Sequence, residues 1–373
     1  MKKFLFAPAV FLSLFATAQK SKLIIGTYTS GKSEGIYIYD FNTATGDSKM
    51  LSSIKSSNPS YLAVSPDKKY LYAVNEDADS LNNGGMVSAF KFDKKKKQLI
   101  FINQQPSGGN HPCYITTDKN GKWVIAANYS GGSFSITPLA GDGSLRTDKK
   151  VIQHEGKGIN KQRQEKAHVH QTVLTEDNRH LLVADLGIDK LMIYDFDAAT
   201  GQATANNSAS ISVTAGSGPR HIAIHPSNKY VYLTEELSGT VGAFSFDNAS
   251  GKLKLLQTIS AVPEDYKGSL SGADIHVSPD GKFLYASNRG ELNNLVIYKI
   301  DEATGILSVA GFQSTMGIKP RNFSFDPGGD FLLVANQDSD NIAVFSVNHT
   351  TGLLTDTGKT ILVPNPVCLV WVD

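Results

Sequence analysis

Cysteine is nearly absent. Cys113 and Cys368 are the only two in 373 residues, too few for a disulfide framework or a structural zinc site. Charge of one sign is missing too: 36 Lys+Arg face 35 Asp+Glu, for a formal net charge of +1. No bulk basic field is available to attract nucleic acid. After residue 18 no apolar run reaches 18 residues, which leaves that part of the chain without a membrane-spanning helix. It also lacks a helical apolar period of convincing length, and no G-x-S-x-G elbow occurs, so a serine hydrolase of that type has no support.

What is present is a globular composition, 40% hydrophobic and 19% charged, with 33 glycines for tight turns. This excludes a disordered chain and a polytopic membrane protein. The first residues read as a secretory leader: Lys2 and Lys3, an apolar stretch from Phe4 to Phe15, and Ala16-Thr17-Ala18 as a small-x-small cleavage site. The expected organisation is a signal peptide at 1–18 and one domain at 19–373, periplasmic or secreted, with no membrane association after cleavage. Removing Lys2 and Lys3 leaves 34 basic against 35 acidic side chains. Export disfavours dependence on free ATP or NAD, and no cofactor is expected.

The domain is one unit used about seven times. A Pro or His start leads into an alternating apolar run, a Pro-Asp turn, a Tyr-rich strand, a polar tip and a third strand. The clearest copy is Asn58-Pro59-Ser60-Tyr61-Leu62-Ala63-Val64-Ser65-Pro66-Asp67, then Tyr70 to Glu76, then Val87 to Phe90. The polar strand-end anchors Asn75, Asn128, Asp185, Glu235, Asn288 and Asn336 stand 48 to 57 residues apart, the period of a β-propeller blade. The seventh unit is split. Leu23 to Thr29 and Gly35 to Phe41 supply its second and third strands, and Pro366 to Val372 supply the first. The predicted fold is all-β: a seven-bladed propeller whose N- and C-terminal strands share one blade and remove two sheet edges.

Two motifs mislead. Gly26 to Ser33 fits G-x-x-x-x-G-K-[ST], but the strand Ile36 to Asp40 follows instead of the helix that a phosphate loop needs. His168 and His170 form an H-x-H pair on one strand face, with His154 near in sequence. A metal needs three or four convergent ligands, no carboxylate stands at an instructive spacing, and no metal is expected.

In a blade, the start of the first strand and the end of the second lie at the same end of the propeller. Polar residues gather at those two places: His111, His168, His170, Arg220, His221 and Arg321 at the starts, and Glu76, Glu235, Glu236, Asn288 and Arg289 among the ends. Asn at strand ends often caps a turn. That account explains Arg220, Arg289 and Arg321 less well, because converging guanidiniums form an anion site. His170 and Glu236 stand beside them as acid–base candidates.

Gly218-Pro219-Arg220-His221, Glu236-Leu237 and Ser287-Asn288-Arg289-Gly290 resemble segments of the bacterial seven-bladed 6-phosphogluconolactonases, which are similar to the fungal carboxy-cis,cis-muconate lactonising enzymes. The resemblance spans about residues 22 to 373. It implies a site of His170, Arg220, Glu236 and Arg289, with the doublet Glu235-Glu236 and the pair His168/His170 leaving alternatives. The expected chemistry is metal-free hydrolysis of a sugar lactone bearing an anionic group. His170 or Glu236 would be the general base, and Arg289 the oxyanion donor. Arg220, His168, His221, Arg321 and Asn288 would bind substrate. None of the four implied residues is expected in the core, so their variants should melt like the parent. A muconate-type cycloisomerase and a non-catalytic propeller binding a partner or glycan are the alternatives.

Overall fold

The alternation seen around Tyr70, Tyr72 and Val74 becomes a strand, Tyr70–Asn75, one of 29 in the computed structural model. The structure describes residues 20–78 and 84–372. The leader at 1–18 lies outside the described residues. The only helical turn described is the short 3-10 segment Gln337–Ser339, and no described helix is long and apolar enough to cross a membrane.

The strands form seven separate antiparallel sheets. Blade 1 runs from Pro366–Val372 on the inside through Lys20–Thr27 and Gly35–Asn42 to Ser48–Lys55. Blades 2 to 7 begin on inner strands Leu62–Val64, Pro112–Thr117, Val169–Leu174, Pro219–Ile224, Gly272–Val277 and Pro320–Phe325. Each has four strands except blade 4, where Ile211–Ser212 adds a fifth. The expected closure is present: Lys22 pairs with Val372 and Leu23 with Trp371. The outer strands include Gln98–Pro106 and Lys252–Ser260.

The core is divided in the same way. Seven hydrophobic clusters fill the seven blade interfaces, for example Tyr232 and Val241 of blade 5 against Leu284 and Val296 of blade 6, and Leu23 and Phe41 of blade 1 against Leu333 and Val344 of blade 7. Each large side chain buried in this way contributes about 1.5–3 kcal/mol. A tyrosine on the second strand adds a polar lock. Tyr232 donates to Gly305 O at 3.1 Å and Tyr285 to Gly352 O at 2.6 Å, both in the next blade. Gly305 has φ +73°, and a Cβ there would lie 2.3 Å from the Tyr230 ring. Only glycine lets the turn come that close.

Inner strands of neighbouring blades share no ladder, so their N–H groups at the axis need other acceptors. Side chains of the adjacent blade supply them. Cys368 Sγ accepts from Leu62 N at 3.3 Å, Asp274 Oδ2 from Phe323 N at 3.3 Å, and Asn322 Oδ1 from Leu369 N at 2.8 Å. Gln171 Oε1 accepts from Ile222 N. This polar belt joins neighbouring blades around the channel.

Candidate active site

Five inner strands of blades 3 to 7 carry a register shift at their mouth end. Pro112 pairs with Asn128 but Tyr114 with Ala127, which skips Cys113. The same shift skips His170, Arg220 and Arg321 in their strands, and Ala273-Asp274 in blade 6. A bulge turns one residue out of the ladder and re-aims its side chain. Here it delivers Cys113, His170 and Arg321 to the wall of one cavity of about 250 Å³ at the channel mouth. The rest of the wall comes from Glu76, Tyr129, Glu236 and Arg289, each one position past a strand-end anchor, and from Arg163 on the loop between blades 3 and 4.

Glu236 is the hub. Its Oε1 lies 2.7 Å from Arg163 Nη2, and its Oε2 lies 2.9 Å from Arg220 Nε and 3.2 Å from Arg289 Nη2. Burial pushes its pKa up, but Arg289, Arg220 and Arg163 outweigh burial and bring it down to about 2. It is a fixed carboxylate and a weak base. Burial lowers Arg289 to about 10, with Glu236 opposing, so it stays cationic at neutral pH. Backbone carbonyls aim both inner guanidiniums: Arg289 Nη2 donates to Gly272 O at 2.9 Å, and Arg220 Nη1 to Ala273 O at 2.6 Å.

Across the cavity, Arg321 Nη2 lies 3.5 Å from Glu76 Oε2, and its guanidinium sits 5.2 Å from the Tyr28 ring centroid. The Tyr28 hydroxyl donates to the same Glu76 oxygen at 2.7 Å. His170 shares the cavity wall with both groups. Burial first, then Arg220, hold its pKa well below the usual imidazole range, so it is neutral at pH 7. Cys113 Sγ is 3.9 Å from His170 Nδ1. Burial pushes that thiol up, so no thiolate nucleophile is present.

The structure therefore brings together His170, Glu236, Arg289 and Arg321, and selects Glu236 from the doublet. Glu235 turns away and accepts from Thr240. Arg220 stands behind Glu236, among the largest fully buried side chains. This overturns the expectation that no site residue is core. His168 does not share a face with His170: it precedes the strand, stacks on Tyr129 at 4.6 Å and bonds Glu165 at 3.2 Å. His154 goes elsewhere, to Asp185 at 2.7 Å and the Tyr194 hydroxyl at 2.8 Å. The three histidines do not converge, and no group of three or more metal-ligating side chains is placed to hold an ion among the described residues. His221 points into the belt, to Asp274 at 2.7 Å, and Asn288 donates to Ala261 O at 2.7 Å. Neither lines the cavity, because both are committed to buried partners.

Sequence reasoning gave Glu76 no role and missed Tyr28, Tyr129, Cys113 and Arg163. Position one past the anchor would have found Tyr129 along with Glu76. Arg163 lies in a non-repeating loop and leaves no such signal.

Residues 22–371 match the family model described as "Lactonase, 7-bladed beta-propeller". The chain is 38% identical over 348 residues to the 6-phosphogluconolactonase of Bacillus subtilis strain 168, covering 92% of this chain and 96% of that one. It is 40% identical over 336 residues to the 6-phosphogluconolactonase of Formosa agariphila, covering 89% and 94%. The structure of the Pseudomonas aeruginosa periplasmic gluconolactonase superposes with a TM-score of 0.88 at 36% identity, covering 95% of this chain and 99% of that one. Ring and relatives agree, and the chain belongs to the seven-bladed β-propeller lactonase family.

Proposed function

We propose that the protein hydrolyses a sugar lactone, a gluconolactone or 6-phosphogluconolactone, to its open acid. The observation that carries this reading is the cavity itself: three guanidiniums and two carboxylates line it around a neutral imidazole, with Arg220 as a fourth guanidinium behind Glu236. An excess of fixed positive charge suits an anionic substituent and a developing oxyanion. His170 is the general base. It takes a proton from water as the water oxygen adds to the lactone carbonyl. Arg289 stabilises the oxyanion, a role worth about 2.7–4 kcal/mol. The protonated imidazole then returns its proton to the ring oxygen as the C–O bond breaks. Glu236 holds Arg220 and Arg289 in place, and Arg321 with Arg163 takes the substituent.

Export of the mature chain from Gln19 is part of the proposal. It is supported by the leader-like first 18 residues and by the relative described as periplasmic. Mass spectrometry of the N-terminus in periplasmic or secreted material checks it. The activity is tested by proton release on gluconolactone, 6-phosphogluconolactone and muconolactones. Acid release from a sugar lactone is the expected result. Interconversion of a muconolactone without net water would replace hydrolysis by cycloisomerisation. No turnover by folded protein would leave a binding propeller.

A further inference from the structure

The cavity has two carboxylates, and the proposed chemistry uses only one of them. Glu236 is occupied on both oxygens: Oε1 by Arg163, Oε2 by Arg220 and Arg289. Glu76 is held differently, by three consecutive blades. It follows the second strand of blade 2, Tyr28 follows the second strand of blade 1, and Arg321 comes from the bulged inner strand of blade 7. The Tyr28 hydroxyl donates to Glu76 Oε2 at 2.7 Å, and Arg321 Nη2 lies 3.5 Å from the same oxygen. The Glu76 N–H donates to Asn58 O at 3.0 Å, which fixes the backbone beneath. Both side-chain contacts thus fall on one oxygen. Among the described residues Oε1 has no hydrogen-bond partner, although the carboxylate lines the cavity and is only 15% exposed.

The donors and acceptors around that oxygen indicate what it takes. Arg163, Arg289 and Arg321 only donate. The Tyr129 hydroxyl accepts from Arg163 Nη2 at 3.1 Å, which leaves its O–H to donate. Cys113 is a protonated thiol, a weak partner at best. The His170 lone pair is reserved for water. Among the described lining residues, Glu76 Oε1 is therefore the strong acceptor left open to a ligand. A bare anion has no proton to offer it. A hydroxyl does, and a hydrogen bond to an ionised acceptor is among the strong ones.

Resting on the lactonase reading, we propose that Glu76 is the hydroxyl-reading residue of the site, its Oε1 accepting a hydrogen bond from a hydroxyl of a polyhydroxylated lactone. Tyr28 is a positioning residue: by holding Oε2 it leaves Oε1 for the ligand. Arg321 keeps further N–H donors for the anionic substituent. A lactone without hydroxyls strips water from the carboxylate and returns no donor, and one that brings a carboxylate there meets a like charge.

The test compares two substrates, glucono-δ-lactone and δ-valerolactone, the same ring without hydroxyls. The readout is the ratio of their kcat/KM values. Intrinsic reactivities cancel when that ratio is compared between proteins, and a general folding defect lowers both terms together. Glu76→Gln keeps the shape and an acceptor for Tyr28 but puts an amide donor where Oε1 was. Sites built to bond a substrate hydroxyl reject the analogue lacking it by up to about 10⁴–10⁵, so the loss of one such bond should lower the ratio at least about tenfold. Tyr28→Phe should lower it about threefold, a smaller share of the same discrimination. An active wild type whose ratio is unchanged or higher in Glu76→Gln ends the hydroxyl assignment alone. Should that variant not fold, an unchanged ratio in Tyr28→Phe ends it instead. A folded wild type that turns over neither lactone ends the lactonase reading, and the assignment with it.

Discussion

Compare each strand-end anchor with the residue that follows it. The anchors are alike and inward-tied: Asn75 donates to Ser57 O, Asn288 to Ala261 O and Asn336 to Thr315 O, and Asp185 accepts from His168 N and Gly187 N. Their successors vary from blade to blade, with only Glu occurring twice: Glu76, Tyr129, Leu186, Glu236, Arg289 and Gln337. Four of those six face the cavity. The repeated position builds the ring, and the position that refuses to repeat builds the chemistry. Adjacent residues at a strand end face opposite ways, so one step along the chain crosses from architecture to site.

The doublet gives the largest contrast. Glu236→Gln leaves Arg220 and Arg289 buried without their counter-ion, and breaking such a pair costs about 3–5 kcal/mol. Its melting point should drop sharply and kcat by at least about a hundredfold. Glu235→Gln should lose only about 1–2 kcal/mol from its bond to Thr240 and keep kcat. Calorimetry and turnover on both proteins decide whether the two carboxylates divide in this way.

Arg289→Ala should lower kcat by about 10²–10³, whereas Asn288→Ala should cost about 1–3 kcal/mol of stability at unchanged kcat. Equal kcat losses in the two variants would erase the distinction between anchor and successor.

The pH profile separates the two base candidates more finely. His170 has a lowered pKa, so the acidic limb of kcat/KM should lie below about pH 6.5. His170→Asn should remove it, and residual activity of Glu236→Gln should keep it. Stability has a matching sign. Below about pH 6.5 the unfolded chain protonates its histidines, while buried His221 resists until about 4. The unfolded state then binds more protons, so stability falls as pH drops through that window. The contribution of Glu236 is complete above about pH 4.5 and is lost only as pH falls towards about 2. Melting scans from pH 8 to 3 check both.

The smallest effect belongs to the rim. Arg163 is 43% exposed, and exposed pairs are worth about 0.2–1 kcal/mol. Arg163→Ala should raise KM a few-fold for an anionic lactone, less for a neutral one, with kcat nearly intact.

These contrasts also explain what was legible. Blade number, ring closure and the mouth face follow from a pattern written many times, so that no single strand carried the inference. The bulges at Cys113, His170, Arg220 and Arg321 break that pattern by one residue, and a one-residue shift is invisible in side-chain alternation this short. That is why His168 and His170 read as partners, and why Arg220 read as a surface ligand instead of a buried strut. Arg163 reaches Glu236 from a loop whose path no period records.

The blade that joins Lys20–Thr27 to Pro366–Val372 also sets a timetable. The first described strand to leave a ribosome or a translocation pore has its partner at the far end of the chain. Contacts of such long sequence separation form late and slowly, and an unpaired edge stays sticky until they do. Six blades can assemble as they emerge, but the ring cannot be sealed until the last strand is free. A stop codon a few residues early would therefore release a nearly finished protein with an open seam, a better substrate for proteases and aggregation than for folding.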